Sequence, residues 1–137
     1  MDNVEILLVE DSAGDAVLIR QIVSEVSAAV SLHIARDGEQ ALMMLGDSDF
    51  RPAFIILDLN IPRTSGLKLL ERWKSQQIPV VVFSSSLNDG ERARVLELGA
   101  REFIQKPTDI DAFTQVVRGM VERYAGPGKK SAGSASA

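Results

Sequence analysis

Five polar residues stand where short apolar runs end. Glu10 and Asp11 follow Ile6-Leu7-Leu8-Val9, and Asp58 follows Phe54-Ile55-Ile56-Leu57. Ser84 follows Pro79-Val80-Val81-Val82-Phe83, and Lys106 stands just beyond Glu102-Phe103-Ile104. Carboxylates brought close together repel, so one would stay protonated unless a cation intervened. Oxygen is the only donor type in this set, which suits a hard cation. Mg²⁺ keeps several waters and commonly takes one or two carboxylates plus a phosphate oxygen. Asp11 and Asp58 can bind it directly, and Glu10 directly or through water. A backbone carbonyl from the loop after Asp58, Asn60 foremost, can complete the protein's share. Asp58, kept ionised, can then attack phosphorus and form an acyl-phosphate. Lys106 would pair with a phosphoryl oxygen and Ser84 would donate a hydroxyl hydrogen bond to one.

For that chemistry to exist, the elements between these residues must bring them to one edge. Apolar runs without polar alternation predict strands covered on both faces. Leu32-His33-Ile34-Ala35 and Glu102-Phe103-Ile104 are weaker runs and are expected nearer the sheet edges. Between the strands lie helical patterns. Leu18, Ile19, Ile22, Val23 and Val26 make one stripe; Leu67, Leu70 and Trp73 another; Ala93, Leu96 and Leu98 a shorter one. Asp37 is expected to cap the second helix, with Gln40 in the reciprocal position. Ile110, Phe113, Val117, Met120 and Tyr124 are expected to share the inner face of the last helix, with Thr108 as its cap. Five strands alternating with five helices predict an α/β domain with a doubly wound, mainly parallel sheet. In such sheets, sites form beyond the C-terminal ends of the strands.

These residues carry a resemblance. Val9-Glu10-Asp11-Ser12, Ile56-Leu57-Asp58-Leu59-Asn60-Ile61-Pro62 with Gly66, Ser84, and Lys106-Pro107 resemble bacterial two-component response regulator receiver domains across residues about 4–124. Each motif alone is weak, but their order at successive strand ends is specific. The Glu-Asp-Ser-x-x-Asp start and the loop after Asp58 look similar to the small stand-alone regulators of the phytochrome-associated type. The resemblance implies a flavodoxin-like (βα)5 fold of strand order 2-1-3-4-5 and a single receiver domain over 1–124. It implies phosphoryl transfer to Asp58 from a phosphohistidine on a sensor histidine kinase, slow autodephosphorylation, and no other enzymatic turnover. It also implies a cis peptide at Lys106-Pro107 and a relay in which Ser84 moves toward the phosphate while Phe103 turns inward. Phe103 lacks the hydroxyl that a tyrosine would bring to the switch position, and a plain core aromatic is the competing reading.

Composition bounds the alternatives. A length of 137 residues suits one domain. A net charge of −4 argues against a broad electrostatic grip on nucleic acid. The absence of cysteine excludes disulfides and thiol catalysis, and the lone His33, expected to face outward, makes a zinc site improbable. No apolar run reaches the roughly 20 residues that span a bilayer, and the start has no basic leader region, so a cytoplasmic protein is expected. Residues 125–137, rich in Gly, Ser, Ala and Lys, are expected to form a disordered tail. The amphipathic last helix leaves homodimerisation open, and the downstream target is unspecified. A haloacid-dehalogenase-type phosphatase would place Asp-x-Asp after the first strand, where this chain has Glu10-Asp11. A flavin phosphate at the first loop would be repelled by those two carboxylates. A receiver without phosphorylation chemistry would be expected to lack one of the five residues.

Overall fold

The computed structural model describes residues 4–85 and 89–126. Strands β1 (Val4–Val9), β2 (Val30–Ala35), β3 (Phe54–Leu57), β4 (Val80–Ser84) and β5 (Glu102–Gln105) alternate with five helices. These are α1 (Ala13–Val26), α2 (Gly38–Gly46), α3 (Gly66–Arg72), α4 (Asp89–Glu97) and α5 (Ile110–Ala125). The strands pair in parallel in the order β2-β1-β3-β4-β5. This is the flavodoxin-like (βα)5 arrangement, and the two weaker apolar runs do form its edges.

Both faces of the sheet are covered, which explains the unbroken apolar runs of its central strands. Ile6, Leu8, Phe54, Ile56, Val81 and Phe83 pack against Ile19, Ile22, Phe113, Val117 and Met120 from α1 and α5. Their neighbours Leu7, Val9, Ile55, Leu57 and Val82 face Ala41, Leu69, Leu70 and Val95 from the helices on the other side. Trp73, the C-cap of α3, joins that second cluster as expected. Among the described residues no helix is long and apolar enough to cross a membrane.

Several local expectations are corrected. Asp109, not Thr108, caps α5, its Oδ2 accepting from the Ala112 N–H at 2.8 Å. Ile110 is therefore the first helical residue and lies 57% exposed, while Val121 takes a buried place on the inner face. Leu96 and Ala93 are exposed, and α4 is held instead by Val95, with Leu98 just beyond it. His33 does not simply face outward: its ring meets Phe50 edge-on at 5.0 Å, and Nε2 lies 3.0 Å from Glu5 Oε1. Asp37 does cap α2, but Gln40 reaches back to the N–H of Arg36 rather than to that of Asp37. Ala125 and Gly126, assigned to the tail, are buried at the end of α5; the rest of the expected tail, 127–137, lies outside the described residues.

Gly66 opens α3 against the backbone of the β3–α3 loop. A methyl group there would stand 2.8 Å from Leu59 Cα and 2.9 Å from Leu59 Cδ2. Because the Cα cannot swing aside, Gly66→Ala should destabilise the fold by about 1–3 kcal/mol. Gly14→Ala, where nothing lies within 4 Å, should leave stability unchanged or raise it by up to about 1 kcal/mol, since alanine is the better helix former. Urea unfolding with unchanged slope measures both; equal midpoints for the two variants would contradict the contact.

Candidate functional site

At the C-terminal edge of the sheet the first, third, fourth and fifth strands deliver their polar residues to one place. Asp58 leaves β3 with its N–H bonded to the Val9 carbonyl at 3.0 Å, which ties it to the end of β1. Glu10 is held the same way, its N–H donating to the Ala35 carbonyl at 2.9 Å. Lys106 donates its N–H to the Ser84 carbonyl at 2.8 Å, anchoring the exit of β5 on β4. The site is thus fixed by continuation of the sheet's own hydrogen bonding.

The centre is the Lys106 ammonium. Its Nζ lies 2.8 Å from Glu10 Oε1, 2.8 Å from Asp15 Oδ2 and 2.9 Å from Asp58 Oδ2. The lysine side chain is 8% exposed and those of Glu10 and Asp58 2% and 9%, while Asp15 at 34% opens one side of the cluster to water. The other Asp58 oxygen, Oδ1, accepts from the Asn60 N–H at 2.9 Å and from the Ser84 hydroxyl at 3.3 Å. Glu10 Oε2 accepts from the Ser12 N–H at 3.1 Å. Of the expected residues, Glu10, Asp58, Ser84 and Lys106 therefore meet directly. Asp11 borders them on the same loop with an exposed side chain. Asn60 contributes its N–H to Asp58, while its side chain is exposed. Ser85 is exposed, and Ser86 lies outside the described residues.

Two features differ from the sequence reading. Asp15, in the first turn of α1, was present in the Glu-Asp-Ser-x-x-Asp motif but received no role; here it is the third carboxylate on Lys106. Its position follows from Ser12, which caps α1 by accepting from the Asp15 N–H at 3.2 Å and so sets the entry angle of the helix. The Lys106–Pro107 peptide is trans, not cis. The trans form of an X–Pro bond is favoured by about 0.5–1 kcal/mol, and the lysine reaches all three acids from it. The carboxylates of Glu10, Asp15 and Asp58 converge on the ammonium. Phe103 is 6% exposed, packed in the core with the Arg92 guanidinium 5.1 Å above its ring.

The electrostatics are unbalanced. Three carboxylates around one ammonium leave a net charge of −2 when all are ionised. Burial pushes Glu10 up to about 7 from an ordinary 4.5, with Lys106 pulling it back down and Asp58 adding to the rise. Burial also opposes the charge on Lys106, but its hydrogen bonds to Asp15, Glu10 and Asp58 outweigh that and hold the ammonium well above the usual lysine range. A fixed ammonium and a hydroxyl beside one carboxylate suit the transfer of an anionic group onto it once a cation offsets the unspent negative charge.

A doubly wound parallel domain with an acidic cluster and a lysine at its strand ends is the frame in which this chain resembles known proteins. Residues 6–118 match the family described as response regulator receiver domain, and the chain belongs to that family. It is 32% identical over 124 residues to the response regulator Rcp1 of Synechocystis sp. strain PCC 6803, covering 84% of each chain. It is 37% identical over 116 residues to the Regulator of RpoS of Escherichia coli strain K12, covering 82% of this chain but only 33% of that protein. This chain thus spans about a third of that relative's length. Among solved structures, the phosphorylated cyanobacterial phytochrome response regulator RcpA superimposes with a TM-score of 0.84 at 30% identity, covering 89% of this chain and 94% of that one. The Mn²⁺-bound form of Rcp1 does so with a TM-score of 0.79 at 32% identity, covering 88% and 92%. Receiver domains accept phosphate from histidine kinases and act on downstream targets.

The raised Glu10 has a consequence for stability. A carboxyl whose folded value exceeds its unfolded one stabilises the fold below the unfolded value, and that contribution is lost as pH rises through the folded value. Between about pH 5.5 and pH 8, the metal-free protein should lose about 2 kcal/mol relative to Glu10→Gln, which lacks the titration. Paired urea titrations at the two pH values in the presence of a chelator measure the difference. A parallel dependence in both proteins would contradict the assignment.

Proposed function

We propose that this protein is an Mg²⁺-dependent phospho-aspartate switch whose nucleophile is Asp58, charged by the phosphohistidine of a sensor histidine kinase. The observation that carries the reading is the seating of Asp58. One carboxylate oxygen lies on the Lys106 ammonium, and the other faces the Ser84 hydroxyl and the Asn60 N–H.

The donor set fits a divalent cation. It is all oxygen, and the −2 left after Lys106 is the charge that such an ion would neutralise. Asp11, Asp58 and the Asn60 carbonyl would hold it, with Glu10 directly or through water. Bound there, Mg²⁺ would supply positive charge to the equatorial oxygens of the transferring phosphoryl group. The bound metal in Rcp1 and the phosphorylated state of RcpA support the same reading.

The chain's own residues carry the remaining work. An Asp58 carboxylate oxygen attacks phosphorus, the P–N bond to the donor imidazole breaks, and an acyl-phosphate forms as the imidazole leaves with its electron pair and takes up a proton. Lys106 keeps its charge throughout and pairs with a phosphoryl oxygen. Ser84 already lies beside Asp58, so its hydroxyl has only a short way to travel to a phosphoryl oxygen. Attack of water on phosphorus later restores the carboxylate and releases phosphate. The chain catalyses only its own phosphorylation and slow dephosphorylation. Phe103 responds through its stack with Arg92, altering the face formed by α4, β5 and α5 that a downstream protein or a second copy would read. This reading places the protein in the cytoplasm beside its donor kinase.

Incubation with acetyl phosphate and Mg²⁺ should add one phosphoryl group by intact-protein mass spectrometry, and chelation should abolish it. Asp58→Ala should take up none, and Lys106→Met should accumulate adduct at least tenfold more slowly. An undiminished adduct in Asp58→Ala would end the proposal.

A further inference from the structure

The turn between β2 and α2 contributes no residue to the ion cluster, yet it touches both acidic loops. Arg36 follows the last residue of β2, and its Nη2 donates to the carbonyl of Asp11 at 3.1 Å. Two residues on, the Gly38 N–H donates to the carbonyl of Pro62 at 3.4 Å. One contact reaches the loop that follows β1, the other the loop that follows β3.

The turn is itself made stiff. Asp37 Oδ1 accepts from the Gln40 N–H at 2.8 Å, and Gln40 Oε1 accepts from the Arg36 N–H at 2.6 Å. Gly38 is pressed against the β3–α3 loop, since a methyl group on it would stand 2.5 Å from Thr64 Cβ and 2.9 Å from the Thr64 carbonyl oxygen. On the other side of that contact Arg63 sits at φ 75, a region that residues with side chains seldom enter. Its guanidinium lies 3.5 Å from both Asp37 and Glu39. The loop is thus seated on the turn by backbone, by shape and by charge.

We infer that Arg36 and Gly38 are positioning residues, forming a bracket that sets the distance between the Asp11 loop and the Asn60 loop. The inference rests on the proposed function, in which those two loops supply ligands to one divalent cation. Mg²⁺ demands near-octahedral geometry, so ligands from loops free to drift apart would hold it poorly. Groups that orient ligands without touching the metal are typically worth 10–100-fold in affinity.

Charge alone makes the opposite forecast, which gives the test its power. Arg36 is a cation next to a cation site, so by simple repulsion Arg36→Ala should tighten divalent binding. The bracket requires it to weaken. With Mn²⁺ as the probe and its electron paramagnetic resonance signal reporting free ion, Arg36→Ala should need about tenfold more Mn²⁺ for half-saturation. Arg36→Lys, which keeps a donor, should return to within about threefold of wild type. Gly38→Ala should also need about tenfold more, although it introduces the better helix former. In the metal-free protein, amide exchange at Ser12 should accelerate in Arg36→Ala and stay at the wild-type rate at Ile55. Unchanged or tighter Mn²⁺ binding with unaltered Ser12 exchange would overturn the bracket. If wild type itself binds no Mn²⁺, the proposed function fails, and the Ser12 exchange alone decides whether Arg36 holds the loop.

Discussion

A buried ammonium shared by three carboxylates is the contact on which the polar edge of this protein depends. β1 and β5 stand three strand spacings apart in the sheet, about 14 Å, yet Glu10 and Lys106 meet at 2.8 Å. The side chains must lean inward from both sides to do this, and only a cation makes the crowding tolerable. Without Lys106, Glu10 at 2% exposure and Asp58 at 6% would be buried acids with no counter-charge. The raised value of Glu10 shows how near that limit the cluster lies even with the lysine present.

The rest of the fold makes this concentration of charge affordable. Two apolar layers, one on each face of the sheet, clamp the central strands so that their ends have no freedom to splay. The exits then inherit the register of the ladder: Val9 stands opposite Leu57, and Ser84 opposite Gln105. Glu10, Asp58 and Lys106 each stand one step beyond a paired position, so the backbone of each is held by a hydrogen bond of the same type as those within the sheet, and Ser84 is the last paired residue of β4. Rigidity comes from the core, and chemistry sits on the first residues past it. At the opposite end of α5, Arg123 and Tyr124 both bond to Glu102 at the start of β5, which keeps the last helix aligned with the strand that carries Lys106.

Much of this was legible in the sequence because strand exits are short-range features. An apolar run that ends in a polar residue needs no tertiary information to be read. Glu10, Asp58, Ser84 and Lys106 were all found that way, and parallel pairing then had to bring them together. The misses were of another kind. Asp15 reaches Lys106 only because of the angle at which α1 leaves its cap, a quantity that residue types do not encode. Thr108 and Asp109 are adjacent capping candidates of similar quality, and the choice between them moved Ile110 from the inner face to solvent. Leu96 has the hydrophobicity of a core residue, but α4 is short and makes its contact through Val95. The Lys106–Pro107 bond was assigned by resemblance, and no local residue dictates its isomer.

The same cluster explains how one small event can alter a whole face under the proposed reaction. Before transfer, Asp58 carries one negative charge and shares Lys106 with two other acids. Afterwards its oxygen is esterified and the phosphoryl group brings a charge of about −1.5 to −2. The net gain is about one charge or less, so the larger change lies in where that charge sits. It moves outward from a carboxylate to oxygens that stand further from β3, and Lys106 and the Ser84 hydroxyl are the nearest fixed donors. Both belong to β4 and β5 or their exits, whereas Glu10 and Asp15 belong to β1 and α1. Redirecting the ammonium toward the phosphoryl group therefore weakens its ties to the α1 side and strengthens those on the β4–β5 side. Phe103, three residues before Lys106, is stacked beneath Arg92 of α4 on that same side.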